Sequence, residues 1–177
     1  MRLGGCSDHP AGEGKGPIWI PDSRAWVTAW HQYRDDPVTQ DRLLQQLSHL
    51  VRCGSVVYPE QVIDDVYQYV GKKSPLTEWL RNHRSDQVRP VKNGEYAENV
   101  KSVLSTIPNV IDNAGREQSA PYVLGCAAWF WERGNEVRIV TDHVESLPRR
   151  ISMIKACDFL GLPHERLQTF LASWGFS

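Results

Sequence analysis

The stretch IWIPDSRAWV, residues 18–27, decides how the rest of the chain is read. Ile18, Trp19 and Ile20 form a short apolar run suited to a buried strand. Pro21 interrupts it, so Asp22 falls at or just past the strand's C-terminal end. Open α/β sheets bind ligands along that edge, where the chain reverses direction. Asp22 and Ser23 are also good capping residues for a helix that begins near Arg24. On these ten letters alone the capping role is the more ordinary of the two.

Working outward, strands alternate with helices. SVVYP (55–59) reads as a second strand, and EVRIVTD (136–142) is the clearest strand of the second half. Between them, helical spacing joins Leu43, Leu44, Leu47, Leu50 and Val51, with Gly54 as a stop signal. It also joins Val62, Ile63, Val66 and Val70, ended by Gly71, and Tyr96, Val100, Val103, Leu104 and Ile107, ended by Pro108. Ser74 and Pro75 have the order of an N-cap and first helical residue. PYVLGCAAWFWE (121–132) places Leu124, Ala127, Ala128 and Trp131 on one helical face. Two further helices are expected near Ile151–Leu160 and His164–Trp174. This alternation predicts an α/β fold, a parallel sheet with helices on both faces in α/β/α layers.

The chain has 177 residues, of which 41% are hydrophobic, enough for one core and too few for a second full domain. Residues 1–16, rich in Gly and Pro without hydrophobic period, read as a mobile N-terminal extension, and 17–177 as the domain. A net charge of −1 gives no overall basic field for nucleic acid, so any such binding needs a local patch. The four cysteines form no CxxC pair, which speaks against zinc. Cys53, Cys126 and Cys157 lie among apolar residues, as reduced buried thiols of a cytoplasmic protein do. No apolar run approaches the roughly 18 residues of a membrane span, and the first residues lack a signal peptide's apolar core. The expected location is the cytoplasm.

Acids follow the strands. Asp22 ends the first, Asp64 and Asp65 fall in the first turns of the helix after the second, and Asp142 follows Thr141 at the end of VRIVTD. Carboxylates gathered at one sheet edge repel one another unless a hard cation such as Mg²⁺ or Mn²⁺ binds them. A bound water attacking a phosphodiester is the chemistry such a site supplies. Each acid alone could equally serve a helix N-terminus.

In order, IWIPDS, VVYPEQVIDDVYQ, SAPYVLGCAAW and VRIVTDHVE resemble the motifs of PIN domains, the fold of VapC-type toxin ribonucleases. The ending RRISMIKACDFLGL further resembles a PIN-like branch found beside helix-turn-helix and zinc-peptidase-like antitoxins. The resemblance covers about residues 17–175 in motif order. It implies a metal-dependent endoribonuclease, the toxin of a toxin–antitoxin pair, with Mg²⁺ or Mn²⁺ as cofactor. Its partners would be an RNA substrate and a cognate antitoxin protein, with no membrane. Relatives often dimerise, but no apolar stripe here locates an interface.

The resemblance carries metal binding to Asp22, Asp65 and Asp142, with Asp64 as the alternative acid if the register slips by one. Ser23 and Thr141 are the supporting hydroxyl residues, and His143 stands where relatives carry an acid or polar group. One departure is large. Where relatives have an aspartate before Pro-Tyr, this chain has Ala120. A methyl group neither binds a cation nor orients a water. An introduced inactivating change and a natural loss both account for it, and the retention of three other acids favours the first. The alternative function is a non-catalytic PIN-like module that binds RNA or protein.

No RNA-binding residue can be assigned. Gly71–Lys73, Arg81–Lys92, Arg149 and Arg150 could grip a phosphate backbone, yet a solvated face explains most of them. His31, His49, His83 and His164 share no spacing that suggests acid–base work, and no phosphate loop motif occurs.

Overall fold

A computed structural model describes residues 16–87, 94–110, 118–143 and 150–176. The N-terminal extension through residue 15, residues 88–92 of the basic stretch and Arg149 lie outside the described residues. Strand β1 (Ile18–Pro21) pairs in parallel with β2 (Val137–Val140), and β2 with β3 (His164–Glu165), in the order β1-β2-β3. The helices are α1 (Ser23–Gln32), α2 (Pro37–Arg52), α3 (Glu60–Val70), α4 (Pro75–Asn82), α5 (Ala97–Thr106), α6 (Ala120–Glu132), α7 (Met153–Leu160) and α8 (Leu167–Ser173). The fold is therefore α/β with a parallel sheet, as the alternation of patterns requires.

All four residues of β1 are buried. Side chains alternate across a strand, so burial of every one means both faces of β1 are covered. Trp19 meets Phe170 of α8 with ring centroids 5.3 Å apart, while α6 packs against β1 and β2. Helix α6 is itself enclosed. Its apolar residues reach around most of its circumference, and α5 covers the side away from the strands. Gly125 makes this possible, because a Cβ there would stand 2.7 Å from Val100 Cγ2 and 2.9 Å from the Val100 backbone nitrogen. The same core joins α1 to α4, where Trp26 lies against Tyr58 and Trp79, and the Trp79 indole donates to Ser48 at 2.9 Å.

Four expectations need correction. The 55–59 run is less than a strand: Trp19 pairs with Val56 in a single parallel bridge, and Pro59 ends the chain's extension there as α3 begins. At the other edge, His164 and Glu165 are a short strand and not the first turn of a helix, so α8 starts only at Leu167. Trp131 is exposed although its spacing puts it beside Leu124 and Ala127, because it lies in the last turn of α6, which ends at Glu132. Cys126 and Cys157 are buried free thiols, whereas Cys53 is half-buried and disulfide-bonded. Among the described residues, no helix is long and apolar enough to cross a membrane.

Candidate functional site at the sheet edge

The parallel strands all run toward one edge, and the first residue past β1 is Asp22. Its backbone N–H donates to Val140 O at 3.0 Å, extending the β1–β2 ladder by one rung. Its φ and ψ are −75° and 173°, so the backbone is still extended while the side chain turns back as the N-cap of α1. Oδ1 accepts the Ala25 N–H at 2.7 Å. Oδ2 accepts the hydroxyl of Thr141, the first residue past β2 and 119 positions away. The residue that caps α1 thus also stands at the strand end, and it is only 3% exposed.

Thr141 is fully buried and links three segments. Its N–H donates to Glu165 O at 3.0 Å, and its hydroxyl oxygen accepts the His143 N–H at 3.1 Å while donating to Asp22. His143 continues the connection into α7, because its Nδ1 accepts the Met153 N–H at 3.3 Å. In that bond Nδ1 acts as the acceptor. Ser152 completes that helix start by accepting the Lys155 N–H at 3.3 Å. Farther along α7, burial pushes the Cys157 thiol far up, and the negative charge of Asp22 adds to the shift. The thiol stays protonated beneath the edge.

Asp65 and Asp64 separate cleanly. Asp65 is buried and Asp64 is exposed, which fits the register that puts Asp65 inward. The Asp65 carboxylate crosses to the N-terminus of α6. Oδ1 accepts the Gln118 N–H at 3.0 Å, and Oδ2 accepts the Gln118 and Ser119 N–H groups at 3.1 and 2.8 Å. Ala120 follows directly as the first residue of α6 and is buried. Ser23, the first residue of α1, is also buried. Asp142 goes elsewhere: it is partly exposed, and its Oδ1 lies 3.3 Å from Nε of Arg166, the N-cap of α8.

At the strand ends Asp22 is thus joined with Thr141 and Asp142 pairs with a guanidinium, while Asp65 is set against the residues that precede Ala120. Among the described residues, no group of three or more His, Cys, Asp or Glu is placed to hold a metal ion. The carboxylates of Asp22 and Asp65 already receive donors on both oxygens. The residues present do not fit a Mg²⁺ or Mn²⁺ site by themselves, so no chemical step is derived through one.

Sequence reasoning missed Arg166 and the partner of His143. Arg166 was hidden because PHER reads as a helix start, although a cation just past a strand belongs to the same edge as Asp142. His143 carried no signal for its bond to the Met153 amide, since the acceptor and donor lie ten residues apart with no pattern connecting them. No family model, curated protein or solved structure matches the chain.

Proposed function

We propose that this chain has a PIN-like fold and is an endoribonuclease of the PIN type, the toxin of a toxin–antitoxin pair, disabled where Ala120 stands at the start of α6. The observation that carries the reading is that separate motifs meet in pairs, the first with the last and the second with the third. Asp22 and Thr141, distant in sequence, share a buried hydrogen bond past the ends of adjacent parallel strands. Asp65, from a third motif, is tied to the two residues before position 120. A carboxylate restored there would sit in the first turn of α6, where the helix dipole favours negative charge. Mg²⁺ or Mn²⁺ would then be the cofactor, because such hard cations take carboxylate oxygens. RNA would be the substrate and an antitoxin protein the partner.

The test is Ala120→Asp, measured by Mn²⁺ calorimetry and by cleavage of structured RNAs with metal or with chelator. Binding and metal-dependent cleavage are expected of the Asp form alone, and Asp22→Asn in that form should abolish cleavage. If Ala120→Asp binds no Mn²⁺, the nuclease reading is wrong. A second reading, the non-catalytic module, is favoured by the engaged oxygens of Asp22 and Asp65 and by the Asp142–Arg166 pair. It expects the chain as it stands to retain RNA or a protein partner in the presence of chelator.

A further inference from the structure

The start of α6 has an unusual problem. Ser119, its N-cap, has φ −74° and ψ −19°, a helical conformation, and its side chain makes no capping bond. Pro121, in the first turn, has no N–H to satisfy. Tyr122 and Val123 donate to Ser119 O at 3.0 and 2.9 Å, which begins the helical ladder. The N–H groups of Gln118 and Ser119 point the other way, and Ser119 is buried. Buried donors without partners are rare because water cannot replace the missing bond. Here the buried N–H of Ser119 and the N–H of the exposed residue Gln118 are received by one carboxylate from another helix, in three contacts of 2.8–3.1 Å.

We propose that Asp65 is a positioning residue: it caps α6 from α3 and fixes where residue 120 stands, and it is not itself a ligand of the cation. Three observations support this assignment. Asp65 is 4% exposed, and its charge lies against the positive end of the helix dipole, where charge-assisted bonds are strongest. Helix α6 is packed against the strands and α5, and Ser119 at its N-terminus is buried, so the Ser119 N–H needs a protein acceptor. Helix α6 packs closely on α5 at Gly125, where a Cβ would stand 2.7 Å from Val100 Cγ2, and Asp65 holds the same helix at its end. The two contacts together leave residue 120 little freedom along the helix axis. The capping half of this inference stands by itself; the effect on a cation rests on the nuclease reading above.

The experiment compares Asp65→Asn with Asp65→Ala, in the chain as it stands and in Ala120→Asp. Asparagine keeps an acceptor oxygen for the two amides, and alanine removes it. In the chain as it stands, hydrogen exchange at Gln118 and Ser119, followed by NMR, should quicken about tenfold or more in Asp65→Ala and much less in Asp65→Asn. In Ala120→Asp, the Kd for Mn²⁺ should rise about tenfold with Asp65→Ala, the usual cost of losing an outer positioning group. Asp65→Asn should largely restore it. Equal loss of Mn²⁺ binding in both variants would make Asp65 a ligand and overturn the proposal. Unchanged exchange at Gln118 and Ser119 in Asp65→Ala would overturn it as well. If Ala120→Asp with Asp65 intact binds no Mn²⁺, the nuclease reading fails, and the exchange rates alone decide the cap. If Asp65→Ala does not fold, Asp65→Asn in Ala120→Asp decides it: retained Mn²⁺ affinity supports the proposal, and its loss makes Asp65 a ligand and overturns it.

Discussion

Asp22 and Asp36 begin consecutive helices, and each accepts the N–H of the residue three positions on, Ala25 and Thr39. Locally they are the same device. Their second oxygens make the difference. Asp36 gives its Oδ2 to the Thr39 hydroxyl, so its whole carboxylate serves one exposed helix turn. Asp22 gives its Oδ2 to Thr141, and through Thr141 it is joined to Glu165, His143 and the start of α7. One acid closes a turn; the other holds together the ends of three strands. Burial and the sequence distance of the second partner mark a site-building acid, and residue type or capping geometry does not. Asp65 lies further still in that direction, since both its oxygens serve a helix other than its own.

The comparison can be broken most sharply at Asp22. Asp22→Ala removes a cap and leaves buried donors of Ala25 and Thr141 without their acceptor, at an expected cost of about 3 kcal/mol. Asp22→Asn, which keeps one acceptor oxygen, should cost about half as much. Urea denaturation monitored by tryptophan fluorescence measures both. A loss for Asp22→Ala no larger than that for Asp36→Ala would end the distinction drawn here. Thr141→Val keeps shape while deleting the hydroxyl that Asp22 and the His143 N–H both use, and about 2 kcal/mol should be lost. Asp142 provides the contrast within the edge. Its pairing with the half-exposed Arg166 is a surface contact, so Arg166→Ala should cost about 0.5 kcal/mol or less, and 1 M salt should erase the difference from the parent.

The parts of the fold readable from the letters were those with a repeating physical cause. Leu43, Leu47 and Leu50 are buried as their spacing requires, and so are Val100, Val103 and Ile107. Asp22 could be placed at a strand end because the apolar run before it is unbroken. The sheet's outer edges were harder. His164 and Glu165 are two polar, half-buried residues whose strand exists only because β2 offers free donors and acceptors beside them. Residues 55–57 have strand letters but only a single bridge, since the chain must turn at Pro59 into α3. Within the site, side chains past strands were foreseeable, but the partners of Asp65 were not. They are backbone amides 53 and 54 residues away, and an amide leaves no mark in a sequence.

The smallest effect tests the exposed member of the pair. Hydrogen bonds from the Thr39 hydroxyl and then the Thr39 amide hold the Asp36 carboxyl below its ordinary value. Its folded pKa is therefore lower than its unfolded one, which is about 3.9. Such a group contributes stability that is present above the unfolded pKa and lost as pH falls through the folded pKa. The gap in stability between the parent chain and Asp36→Ala should thus be constant from neutral pH down to about 5 and narrow below about 4. Because the side chain is fully in water, the gap itself should be the smallest of the series. Thr39→Val, which removes the strongest of the contacts holding the carboxyl down, should move the narrowing toward higher pH. A gap that stays flat to pH 2 would mean that Asp36 caps α2 equally well when protonated, and that charge contributes nothing to this cap.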